Sequence, residues 1–130
     1  MFLTQFTSHY TDNGTYETYK SAQLNSVNKL KEMEKAMIEK FGNHVVNMRQ
    51  QLVNNGLRYA IEGNFITNSA LSEPNNIDAI SNDIVPYGSN YDGSASNMHN
   101  GLLNDVHPNN AGNYAMARIV YEALISNKYV

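Results

Sequence analysis

The chain reads as α/β. Two strand-like runs, near residues 2–6 and 43–48, flank a long amphipathic helical period, and a second helical period closes the sequence. The order strand, helix, strand, helix, long loop, helix implies a parallel βαβ unit with a right-handed crossover. Two parallel strands make a poor domain, because parallel sheets need neighbouring strands and helices on both faces. The sequence therefore suggests half of a fold.

Each element has its own signal. Phe2, Thr4 and Phe6 alternate with Leu3, Gln5 and Thr7, the period of a strand. Asp12-Asn13-Gly14 is a turn signal. From about Tyr16 to Phe41, the apolar residues Leu24, Val27, Leu30, Met33, Met37 and Phe41 recur every three or four positions. That spacing predicts a helix with a narrow buried stripe, ended by Gly42. Val45 and Val46 read as the centre of a buried strand spanning 43–48. A short helix is expected from Arg49 to Val53, closed by Asn54-Asn55-Gly56. Residues 63–101, rich in Gly, Ser, Asn and Pro, read as a long loop with a brief helical hint at Asn76–Ile80. Met116, Ile119, Val120, Ala123 and Leu124 predict a last helix from Asn110 to Ser126, capped by Asn109 or Asn110.

Composition excludes several classes. At 130 residues there is room for one small domain. The net charge of −3 offers no electrostatic footprint for nucleic acid or an anionic membrane. Lysines and glutamates alternate from Lys29 to Lys40, as on a solvated helix face. There is no cysteine, so disulfides, thiolate metal sites and a cysteine nucleophile are excluded, and the compartment is left open. No apolar run approaches the length of a membrane span. The opening residues Met1–Phe6 lack the basic and apolar regions of a signal peptide.

The chemistry centres on LLNDVHPNNAG, residues 102–112. A histidine just before a helix, with an acid on the same loop, suits acyl transfer. The acid would hold the Nδ1–H of the ring and leave Nε2 to deprotonate a hydroxyl. Pro108 stiffens the backbone beside it. Alone the motif is weak, because Asp105 and His107 also suit the capping of the last helix, and capping is the commoner use.

A resemblance shifts that balance. NDVHPNNAGNYAMARIVYEAL, residues 104–124, resembles the C-terminal block of the SGNH (GDSL) hydrolases, in which D-x-x-H-P-N-x-x-G precedes a final helix. HVVNMRQQLVNNGL (44–57) and EPNNIDAISNDIVP (73–86) are similar to segments upstream of that block. The resemblance implies a flavodoxin-like three-layer α/β/α sandwich, present here as its C-terminal part over residues 1–130. It implies ester hydrolysis, often of acetyl groups on carbohydrates, with no cofactor, and it makes His107 the general base.

The chain departs from the family pattern twice. The family's acid stands three residues before the histidine, where this chain has Asn104, and Asp105 comes one residue late. Asp105 is taken as the acid, with Asn104 as the alternative occupant. An asparagine there orients the ring without stabilising imidazolium, a change that costs on the order of 10⁴ in kcat in a serine protease. The second departure is larger, since the G-D-S nucleophile block and the Gly and Asn oxyanion blocks are missing. Asp92-Gly93-Ser94 has similar letters in a different order and reads as a turn, and Ser81-Asn82-Asp83 follows no strand.

The expectation is an ester hydrolase piece whose serine lies elsewhere, completed by an N-terminal half or self-associating through an open sheet edge. Its rival is a non-catalytic glycan-binding or particle-associated module on the same scaffold. Tyr87 and Tyr91 suit stacking on sugar rings in that case. His9, His44 and His99 read as surface or structural residues, with no ligand spacing for zinc.

Overall fold

The computed structural model describes residues 1–8, 15–87, 101–104 and 107–128. Its elements are β1 (Phe2–Leu3), α1 (Tyr16–Phe41), a 3₁₀ turn (Gly42–His44), β2 (Val45–Val46) and α2 (Met48–Gln51). A π-helical turn (Leu52–Gly56) joins α2 to α3 (Leu57–Glu62). A 3₁₀ helix (Asn68–Ser72), α4 (Pro74–Ser81), β3 (Leu103–Asn104), β4 (His107–Pro108) and α5 (Asn110–Ser126) follow.

The molecule is mainly helical, which overturns the expected flavodoxin-like sandwich. β1 does pair with β2 in parallel, in the register Phe2 with Val45 and Leu3 with Val46. The sheet stops there for a local reason. Thr4 adds one more ladder bond, its N–H donating to the Val46 carbonyl at 3.0 Å. Its hydroxyl then accepts the Met48 N–H at 2.9 Å, while Asn47 accepts the Gln50 N–H at 3.2 Å. These are helix-capping bonds, so both chains leave the sheet as α2 begins. Helix-on-helix packing replaces the sheet, with α5 lying across the π turn and α3.

α1 has the expected bounds. The Thr15 hydroxyl accepts the Thr18 N–H, and Gly42, at φ +58°, ends the helix in a backbone conformation that glycine adopts freely. The buried face is rotated from the one expected. Tyr16, Tyr19, Gln23, Val27, Leu30 and Glu34 are buried, whereas Leu24, Met33 and Phe41 are exposed. Polar residues on that stripe are matched inside. Glu34 takes Nε of the buried Arg49 on both oxygens at 2.9 Å and its Nη2 at 2.7 Å. Arg49 also donates to the Asp83 carbonyl at 2.6 Å, and Lys31 pairs with the Asp83 carboxylate at 2.7 Å. The Lys-Glu run on α1 is thus a solvated face with one carboxylate turned inward.

Asn54-Asn55-Gly56 does not end the helix. The two asparagine side chains bond along the helix, to Gln50 and to Gln51 and Arg58, instead of to a turn backbone. The 63–101 region also holds more structure than its composition suggests. Pro74 begins α4, the buried Asn76 donates to the Ala70 carbonyl at 2.9 Å, and Asn82 closes α4 on Asp78. Asp83, at φ +64°, turns the chain into the buried run Ile84–Tyr87. Tyr19 donates to the Val85 carbonyl at 2.6 Å and stacks on Tyr87 with ring centroids 4.6 Å apart. Among the described residues, no helix is long and apolar enough to cross a membrane.

Candidate functional site

The His107 segment is built outward from the Ile84–Tyr87 run. The Leu102 N–H donates to the Pro86 carbonyl at 3.0 Å, and Tyr87 bridges Leu103 in parallel. β3 and β4 then pair antiparallel, Leu103 with Pro108 and Asn104 with His107. Leu102 and Leu103 are fully buried, so they anchor the pair in the core. His107 is exposed. A short hairpin before the last helix was not legible in the sequence, because residues 103–108 show no alternating pattern.

Asn109 joins the hairpin to α5. Its backbone N–H donates to the Leu102 carbonyl at 3.0 Å. Its side-chain Nδ2 donates to the Gly101 carbonyl at 3.0 Å, and its Oδ1 accepts the Gly112 N–H at 2.9 Å. Of the two capping asparagines left open by the sequence, Asn109 is the one used, and it is buried.

The structure brings Asn104 and His107 together as cross-strand partners, and Asp105 lies outside the described residues. So do Ser89, Tyr91, Asp92-Gly93-Ser94, Ser96, His9 and His99. Ser81 is exposed at the end of α4 and donates to the Asp78 carbonyl at 2.8 Å, a bond within its own helix. Tyr87 is buried against Tyr19 and offers no face to a sugar. His44 is exposed in the 3₁₀ turn after α1. Among the described residues, no three His, Cys, Asp or Glu side chains converge to hold a metal ion.

Two surface clefts lie elsewhere. One of about 310 Å³ runs between α1 and α2, past Lys31, Glu34, Asn47 and Gln50. The other, of about 160 Å³, lies between Tyr59, Gln51 and the last turns of α5. Neither is lined by His107. The polar groups of the larger cleft are largely engaged with one another. Burial opposes charge on Asp83, yet its bonds from Lys31 and Gln50 and the charge of Arg49 hold its carboxyl below the usual value. The Arg49 cluster was missed in the sequence because its partners are 15 and 34 residues away.

No protein-family model, curated protein or solved structure matches the chain.

Proposed function

We propose that the chain supplies the general-base histidine of an SGNH-type ester hydrolase, acting on a small ester or an acetylated carbohydrate. One observation supports this most. His107 is exposed on a strand whose backbone is bonded on one side and runs directly into a capped helix, with Asn104 as its cross-strand partner. A base needs that combination of an accessible ring and a fixed backbone, because proton transfer requires hydrogen-bond reach of about 2.6–3.2 Å. Asn104 or Asp105 orients the ring in this reading. The nucleophile comes from a segment carrying G-D-S on another polypeptide or in an N-terminal half. β1, with Phe2 and Leu3 exposed, is the edge on which such a half, or a second copy, pairs.

The rival reading, a glycan-binding or particle-associated module without catalysis, draws support from asparagine in the acid position and from the missing G-D-S block. It loses the sugar platform expected at Tyr87. Both readings meet the same experiment. The chain alone is expected to hydrolyse an activated aryl acetate no faster than free imidazole. Joined to an N-terminal half carrying G-D-S, it gains esterase activity that His107→Ala lowers by about 10²–10⁴, the usual share of a general base. An inactive joined protein, or one indifferent to His107→Ala, overturns the proposal. Turnover by the chain alone that is blocked by a serine-directed phosphonate places the nucleophile within these 130 residues instead.

A further inference from the structure

Residues 101 and 102 are gripped from three sides. Asn109 bonds both of their carbonyls, one through its backbone and one through its side chain. Gly112 lies so close to the Leu102 carbonyl oxygen that a Cβ there would overlap it. Gly56, in the π turn, leaves room for the Leu102 Cδ1 that a Cβ would displace. A π turn in the middle of a helix is unusual and often marks a functional position. Here it places a glycine against the residue that anchors the hairpin.

The Asn109 side chain does more than cap. An N-cap needs only an acceptor, and serine, aspartate and asparagine serve about equally well. Asn109 also uses the donor half of its carboxamide, on the Gly101 carbonyl. Asparagine carries a donor and an acceptor on separate atoms of one short stem, whereas serine has both on a single oxygen and ionised aspartate has no donor. One side chain therefore ties the start of the hairpin to the first turn of α5, and His107 lies in the span between them.

We infer that Asn109 is a positioning residue for His107, its Gly101 bond fixing the hairpin independently of its role as the α5 cap. The value of that positioning to catalysis rests on the proposed esterase reading, but the positioning itself is measured without any substrate. Asn109→Asp keeps a capping oxygen and, ionised at neutral pH, removes the donor. Backbone amide relaxation is read at His107, with the amides of residues 116–124 as the internal standard.

In Asn109→Asp the helix amides should stay near the order parameter of rigid backbone, about 0.85, while His107 falls below about 0.6. Gly112→Ala, which pushes the Leu102 carbonyl away with Asn109 intact, should loosen His107 in the same way. His107 as rigid in Asn109→Asp as in the parent chain overturns the inference. So does joint fraying of α5 and the hairpin, or failure to fold, because either makes Asn109 a cap and nothing more. If His107 loosens as expected but the joined protein shows no esterase activity, the positioning stands and the catalytic reading falls.

Discussion

β1–β2 and β3–β4 are both pairs of two-residue strands, but they are stabilised in different ways and present different groups. β1 leaves Phe2 and Leu3 45% and 48% exposed, and the structure beside it is held by polar contacts. Thr4, Asn47, Gln50, Arg49, Glu34 and Asp83 bond to one another in an unbroken series at the start of α2. β3–β4 does the reverse. It sends Leu102 and Leu103 into the core, satisfies its backbone through Pro86 and Asn109, and exposes a histidine. The region with the most charge is thus chemically closed, because its charges answer each other. The region with little charge is the one that exposes a histidine. Density of ionisable residues is a poor guide to exposed chemistry here.

The sharpest way to break this contrast is to cut one partner from each region. Glu34→Ala leaves the buried Arg49 guanidinium with only the partly exposed Asp83 carboxylate at 3.5 Å, and loss of one member of a buried pair typically costs about 3–5 kcal/mol. His107→Ala removes an exposed side chain and should change stability by no more than about 0.5 kcal/mol. Urea unfolding of the two variants measures both. The double change Glu34→Leu with Arg49→Met sharpens the point, since an apolar replacement of a buried pair is often neutral or stabilising. A Glu34→Ala variant as stable as the parent would show that water reaches Arg49 and that the region is open after all.

The edges of the two pairs give the next test. β4 ends in Pro108, which lacks an N–H and so blunts that edge against pairing. β1 has no such guard, and the exposed Phe41 lies against Phe2 with ring centroids 4.5 Å apart. The isolated chain is expected to self-associate at micromolar concentration, at least doubling its mass by light scattering. Leu3→Lys, which places a charge on the edge, should return it to a monomer. A monomeric parent chain would show that the β1 edge is already covered.

The same contrast explains what the sequence made legible. α1 and α5 were legible close to their observed bounds, because long periodic segments with Gly42 ending one and an asparagine opening the other carry redundant signals. Their buried faces were read less well. The α1 stripe runs through Gln23 and Glu34, polar residues that a hydrophobic period passes over, and it buries tyrosines in place of Leu24 and Met33. Turn chemistry misled at one place. At Asn54-Asn55-Gly56 asparagine bonds helical groups, which composition cannot distinguish from a loop, and the helical hint at Asn76–Ile80 proved to be part of the longer α4. The sandwich expected from the resemblance required strands longer than two residues, and Thr4 and Asn47 divert the chain before they form. At the candidate site His107 was legible from its H-P-N context. Its pairing with Asn104 was not, since cross-strand register depends on Leu102 and Asn109 meeting in space.

The smallest expected effect concerns acid. α4 and the turn after it are tied to α1, Lys20 to Asp78 at 2.9 Å and Lys31 to Asp83 at 2.7 Å, and that turn leads into the run on which β3 is built. The Lys20 bond, with help from Tyr16 and Asn82, holds the Asp78 carboxyl below its usual 3.8. Asp83 is lowered as well, the bonds from Lys31 and Gln50 and the charge of Arg49 outweighing its burial. A carboxyl whose folded pKa is depressed binds protons more weakly folded than unfolded. Its contribution is complete above the unfolded value near 3.8 and is lost as pH falls through the lower folded value. Stability should therefore decline below about pH 4.5, approaching the carboxylate range. Asp78→Asn and Asp83→Asn should each flatten that decline, Asp78 the less because its surroundings are open to solvent screening. Urea midpoints from pH 6 to pH 2.5 read the slope. An acid limb unchanged in both variants would mean that α4 is held by its apolar face alone, and that the polar ties on this side of the molecule stop at Arg49.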